Sequence, residues 1–169
     1  MDSVLRDPDR ESILSLPWSR FDQTEDSGWR MYANRKQHLE AAKLIEDYLN
    51  RHNELSERQR ALSHFHAGMQ YVFQAREHGG DTHAALAHLD QAMVSGRGTG
   101  LSADWNDMVI AIKAFLTGDR ATLLAVKERV AAMPPSAIRW LKSPDSADDL
   151  LNNLGKPYGS WWPREGPKK

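Results

Sequence analysis

The chain of 169 residues, with 22 basic and 23 acidic side chains, a net charge of -1 and no cysteine, is sized for one domain. It offers neither a global positive field for nucleic acid nor thiolates for disulfides or cysteine-ligated zinc. The opening MDSVLRDPDRESILSLP lacks the basic region and apolar run of a signal peptide, and no stretch of about 18 consecutive apolar residues occurs, so a membrane is not expected and a cytoplasmic location is.

Residues 1–28 read as an N-terminal arm. Pro8 and Pro17 break it, and Ile13, Leu14, Leu16, Trp18 and Phe21 sit in runs shorter than the roughly 12 to 15 residues an isolated helix needs. Their expected place is against a helical body, closing one end of it, or exchanged with a partner or sister subunit. From Trp29 to about His52 the composition favours a single helix with Ala41, Leu44, Ile45 and Tyr48 as its stripe; Asn34 is its one plausible interruption. Ser56, followed three residues later by Gln59, predicts a reciprocal cap on the next helix.

The stretch Arg60 to Met93 organises the rest. Leu62, Phe65, Met69 and Val72 recur at helical spacing, and Ala85, Leu89, Ala92 and Met93 do so again after a break. Between them Gly79 and Gly80 supply a helix stop, and Asp81 or Thr82 can cap the return helix. This predicts a helical hairpin in which Gly68 marks a close approach. The following SGRGTG places glycines at 96, 98 and 100, but a helix rather than a strand precedes them and no Lys-Ser/Thr pair follows, so a flexible connection is expected rather than a phosphate cradle.

A second hairpin follows the same plan. Leu101, Trp105, Met108, Ile112 and Phe115 form the cleanest amphipathic stripe, opened by Ser102 or Asp104. Gly118 and Asp119 repeat the stop and cap, and Leu123, Val126, Val130 and Met133 return until Pro134 and Pro135. Beyond them Ile138, Trp140 and Leu141 suit a turn of helix, Ser146 a cap, and Leu150, Leu151 and Leu154 a last short helix ended by Gly155 and Pro157. The helical domain thus spans 29–155. The tail 156–169 carries Tyr158, Trp161 and Trp162, which suit a cover for the last core face or an anchor for a partner.

Candidate chemistry is thin. His64 and His66 are two apart and face different ways on a helix, while His78, His83 and His88 span a turn, so no metal or other cofactor is implied. The carboxylate pairs Glu46 with Asp47, Asp104 with Asp107 and Asp148 with Asp149 have no sequence context that separates an acid from a base. Arg35, Lys36, Arg51, Arg58 and Arg60 gather around the first long helix and its turn, the best charged contact surface in the chain.

The two hairpins resemble tetratricopeptide repeats. Gly68 and Tyr71 stand where that family keeps a small residue and a tyrosine on the leading helix, and Ala85, Leu89 and Ala92 match its trailing helix, although the join is about five residues longer than the roughly 34-residue repeat. The second hairpin, AFLTGDRATLLAVKERVAAMP, keeps the plan without the tyrosine. Together with DDLLNNLGKPYGSWW it is similar to a pattern in uncharacterised bacterial helical-repeat proteins. The resemblance implies an all-α fold of antiparallel hairpins stacked as a short right-handed solenoid, with a groove for a protein or peptide partner. The paired Lys and Asn positions that would point to a peptide carboxyl end are absent.

The resulting expectation is a non-enzymatic interaction module, an adaptor, chaperone or immunity-like protein. Arg35, Arg58, Arg60, Tyr71, Trp161 and Trp162 are its partner-binding candidates, and homodimerisation is left open. The alternative is a helical-bundle metal-dependent enzyme or small-molecule sensor built on His64 and His66.

Overall fold

Stop signals and caps divide the chain into helices and nothing else among the residues that the computed structural model describes, 9–95, 99–142 and 146–162. The helices are α1 Arg10–Leu14, α2 Trp18–Asp22, α3 Arg30–Asn34, α4 His38–Arg51, α5 Glu57–His78, α6 His83–Gln91, α7 Trp105–Thr117, α8 Arg120–Ala131 and α9 Ala147–Asn152. A 3-10 turn at Pro135–Ala137 follows α8. Helices adjacent in sequence pack together, α3 with α4, α4 with α5, α5 with α6, α7 with α8 and α8 with α9, while α1 leans on α4 and α9 also touches α7. Among the described residues no helix is long and apolar enough to cross a membrane.

The arm is more structured than a single turn. Asp9 accepts the Ser12 amide at 2.9 Å to open α1, and Ile13, Leu14 and Phe21 are buried against Leu44, Ile45 and Tyr48 of α4. Phe21 stacks on Tyr48 with ring centroids 3.7 Å apart. Tyr48 and His52 of the α4 end then bind this segment by its backbone: the tyrosine hydroxyl donates to the Leu16 carbonyl at 2.8 Å and His52 Nε2 to that of Leu14 at 2.8 Å.

The single helix expected from Trp29 to His52 is two. Lys36 lies in the left-handed region at φ 59°, and the amides of Lys36 and Gln37 turn back to the Ala33 and Tyr32 carbonyls at 2.9 Å each. That pair of bonds is the Schellman end of a helix, made here with lysine where glycine is usual. Asn34 adds a local alternative to helix by donating to Asp26 Oδ1 at 3.2 Å. The α4 stripe of Ala41, Leu44, Ile45 and Tyr48 is wholly buried as its spacing requires.

Helix α5 begins with the full reciprocal cap of Ser56 and Gln59. It ends at Gly79, φ 74°, after which Asp81 rather than Thr82 accepts the His83 amide, at 2.9 Å. Gly68 lies close against α6: a Cβ there would meet the Ala85 carbonyl oxygen and Leu89 Cγ at 3.2 Å. Between α7 and α8, Gly118 is left-handed and Asp119 accepts the Thr122 amide at 3.0 Å.

Neither Ser102 nor Asp104 caps α7 with its side chain. Asp104 is fully buried and points elsewhere: its Oδ2 accepts the amides of Arg139, Trp140 and Leu141 at 2.9, 2.7 and 3.2 Å. A carboxylate satisfying three amides ties the irregular segment after α8 to the start of α7. Further on, Ser146 caps α9 and Leu150 is buried. Tyr158 is also buried and meets Phe115 edge-on at 5.6 Å, with Trp161 and Trp162 around it.

Two apolar clusters result. One joins α1, α2 and α4, and the other fills the space between α5, α6, α7, α8, α9 and Tyr158; α5 gives Ala67 to the first and Leu62, Met69 and Val72 to the second. Side chains buried at roughly 1.5 to 3 kcal/mol each hold this arrangement, because no helix here would persist alone on propensity. Gly68→Leu, which forces four heavy atoms into the α5–α6 contact, is expected to cost on the order of 1 to 3 kcal/mol or more. Urea denaturation monitored by circular dichroism checks it; an unchanged midpoint would show that the helices do not meet there.

Candidate functional site

Helix α5 is covered on two sides, so its polar side chains must find partners inside the protein. Each finds one on a neighbouring helix, α2 or α4. Ser63 accepts from Trp18 Nε1 at 3.1 Å, Gln70 pairs with His38 Nδ1 at 2.8 Å, and His66 Nδ1 lies 2.9 Å from Asp22 Oδ1. Asp22, fully buried, also accepts from Trp29 Nε1 at 3.1 Å and from Gln23. Burial opposes its charge, but His66 and these donors prevail and hold its pKa below the usual carboxylate value.

His64, one turn from Arg60, faces α6. Its Nδ1 is 3.0 Å from His88 Nδ1, and His88 Nε2 is 2.9 Å from Glu46 Oε1 on α4. Tyr71 donates its hydroxyl to the same Glu46 oxygen at 2.8 Å and stacks on His88. Burial first, then the charges of His88 and Arg60, push the His64 pKa down to about 4, against an opposing pull from Glu46. Burial and the Glu46 carboxylate push the Tyr71 hydroxyl well above its usual value. The chain Tyr71–Glu46–His88–His64 thus crosses three helices and ends at the surface.

It ends in a groove. An open cleft of about 740 Å³ lies where the end of α4, the start of α5 and the end of α6 meet, and Asn50, Asn53, Arg60, His64, Gln91 and Met93 are among its walls. Arg60 spends one N–H on the Leu49 carbonyl, at 3.4 Å, and its charge reaches Glu54. Glu57, also at the groove, is taken up by the amide and hydroxyl of Ser95 at 2.8 and 2.7 Å. A second open cleft, about 530 Å³, runs between Arg76, Phe115, Gly118, Lys156 and Tyr158 at the other end of α5.

The predicted contact residues do not form one surface. Arg60 lines the larger groove and Arg58 lies near it, beside Gly100. Arg35 follows α3, at the opposite end of α4. Arg51 is engaged with Glu11 at 2.8 Å. Tyr71 serves the Glu46 chain, and Trp161 and Trp162 are half-buried in the aromatic cluster of Phe115 and Tyr158. The histidines at 64 and 66 diverge to α6 and α2, and among the described residues no group of three or more His, Asp or Glu is placed to hold a metal ion. The glycine loop expected to be a plain connection includes 96–98, which lie outside the described residues.

Glu46, His88, Asn50, Asn53 and Gln91 carry no signal in the sequence that marks them for this role. Glu46 and His88 are 42 residues apart and meet only because α4 and α6 flank α5. Comparisons of the chain with protein-family models, with curated proteins and with solved structures find no match.

Because the fold keeps His64 neutral far below the usual value of 6.5 for the side chain, the unfolded chain takes up a proton there that the folded one refuses. The stability this residue contributes is therefore complete above about pH 6.5 and drains away as the pH falls toward about 4. His64→Gln is expected to lose less melting temperature than the native chain between about pH 7 and about pH 5. Thermal melts at the two pH values measure the difference; equal losses would mean that His64 is not held neutral.

Proposed function

We propose that the protein is a non-enzymatic binding module that receives a segment of a protein or peptide partner in the groove between α4, α5 and α6. The observation that carries this reading is the lining. Three side-chain amides, Asn50, Asn53 and Gln91, each offering donor and acceptor, stand beside a guanidinium and the apolar Met93 in an open cleft about 740 Å³ in volume. Peptide groups need that mixture, and an open cleft admits a chain more readily than it encloses a small substrate. The tetratricopeptide-like plan supports it through Gly68, whose contact with Ala85 and Leu89 is the helix approach such a hairpin requires. On this reading the sequential helix pairs are a short, degenerate right-handed stack, and adaptor, chaperone or immunity-like roles suit it by analogy of fold.

A second reading, an enzyme or sensor built on His64, has one observation in its favour, the Tyr71–Glu46–His88 chain behind that imidazole. Relays of this kind also serve recognition.

Asn50→Trp, on the exposed side of α4, is expected to fill the groove without touching the core and to abolish capture of a stoichiometric partner by the immobilised full chain. Leu124→Asp, at the exposed leucine of α8, serves as the control and should leave capture intact. A partner retained by the tryptophan variant would place recognition on another face.

A further inference from the structure

We propose that the groove is an acid-reading site whose affinity is linked to proton uptake: one carboxylate of an acidic peptide segment sits between the Arg60 guanidinium and the imidazole of His64. The inference rests on the binding-module reading and names the chemistry of the partner. Two observations lead to it.

The first is charge. Arg60 and His64 are four apart on α5, hence on one face, and both line the cleft. Among the described residues Arg60 stands in no ion pair, and four of its five N–H donors remain after the bond to Leu49. The acid nearest within the groove, Glu57, is already committed to Ser95, and Glu54 is held by His52 at 2.7 Å. The cation is thus left to an incoming anion, and the amides of Asn50, Asn53 and Gln91 suit the peptide groups on either side of it.

The second is the direction of the hydrogen bonds. With both histidines neutral, His88 donates Nε2–H to Glu46 and accepts Nδ1–H from His64, so the second nitrogen of His64, Nε2, carries a lone pair. A lone pair repels a carboxylate. Add one proton at His64 Nε2 and let the Nδ1 proton pass to His88 Nδ1. His64 is again neutral but now presents Nε2–H, and His88 is an imidazolium with its charge against Glu46. No other bond changes. The charge belongs on His88, whose Nε2 lies 2.9 Å from the Glu46 carboxylate, rather than on His64, which reaches that carboxylate only through His88. The ionisable groups around the pair are Glu46 from α4, Arg60, Glu57 and Tyr71 from α5, and His88 from α6. Of these only Glu46 touches His88 as an anion, and Tyr71 completes its hydrogen bonding.

The test uses the intact chain and a fluorescein-labelled peptide of alternating Glu and Ser, with a Gln-for-Glu version as the neutral probe, read by fluorescence anisotropy. The acidic peptide is expected to tighten by up to about tenfold per pH unit between about pH 7.5 and about pH 5.5, the limit for one linked proton, while the neutral peptide binds at least roughly tenfold more weakly and without slope. Arg60→Gln should weaken the acidic peptide at every pH. His88→Gln should remove the slope. Glu46→Gln, which keeps an oxygen for Tyr71 and His88, should move the rise to lower pH and provides the check if the His88 variant does not fold. Long-range proton–nitrogen NMR should find His64 protonated on Nδ1 in the free protein near pH 7.5 and on Nε2 in the acid complex.

Equal binding of the two peptides, a slope that survives His88→Gln in a folded protein, or an unchanged His64 tautomer would each overturn the proposal. If neither peptide binds but Asn50→Trp still blocks partner capture, the acid-reading inference fails and the groove reading stands. If that variant leaves capture intact, the groove reading fails as well.

Discussion

Helix α5 is buried from two sides, and that constraint organises the molecule. An interior helix that carried only apolar residues could slide or rotate against its neighbours at little cost, because greasy contacts are forgiving. This one carries Ser63, His64, His66 and Gln70 inside, and each has a single suitable partner, on α2, α6 or α4. A shift of one residue would leave several buried polar groups unpaired at about 1 to 3 kcal/mol each. The polar set therefore specifies register, while Leu62, Met69, Val72 and their neighbours supply the attraction.

The same constraint explains where the groove is. α4 and α6 flank α5, and near its N-terminal end Arg60 and His64 are only partly covered and stand in the walls of the groove. What would be an ordinary solvated arginine and a core-edge histidine become walls of a cleft. The half-buried Glu46–His88 pair behind them ties the histidine at the groove to a carboxylate on α4.

Local features of this fold were legible in the sequence, and long-range polar ones were not. The capping box at Ser56, the stops at Gly79 and Gly118 and the stripes of α4 and α7 all follow from residues within a few positions of one another. The break between α3 and α4 escaped because it depends on Lys36 adopting a backbone angle that glycine would have advertised. Asp104 reads as a helix cap by position, yet it serves amides 35 to 37 residues later. Asp22 and His66, like Glu46 and His88, are joined across more than forty residues, and nothing near either member announces the other. The basic residues around α4 were grouped by sequence although a helix of 14 residues separates Arg35 from Arg51, roughly 20 Å at 1.5 Å per residue.

Because one helix gives side chains to both apolar clusters, this is not an array whose units melt independently. In an extended stack each repeat touches only its neighbours, and the ends fray before the middle. Here Trp18, near the amino end, is anchored on Ser63, and Arg76, on the same rod, reaches the Tyr158 carbonyl near the carboxyl end. Loosening either extremity loosens the shared strut, so denaturation should be a single cooperative event, and damage at one end of the chain is communicated to the other through the middle.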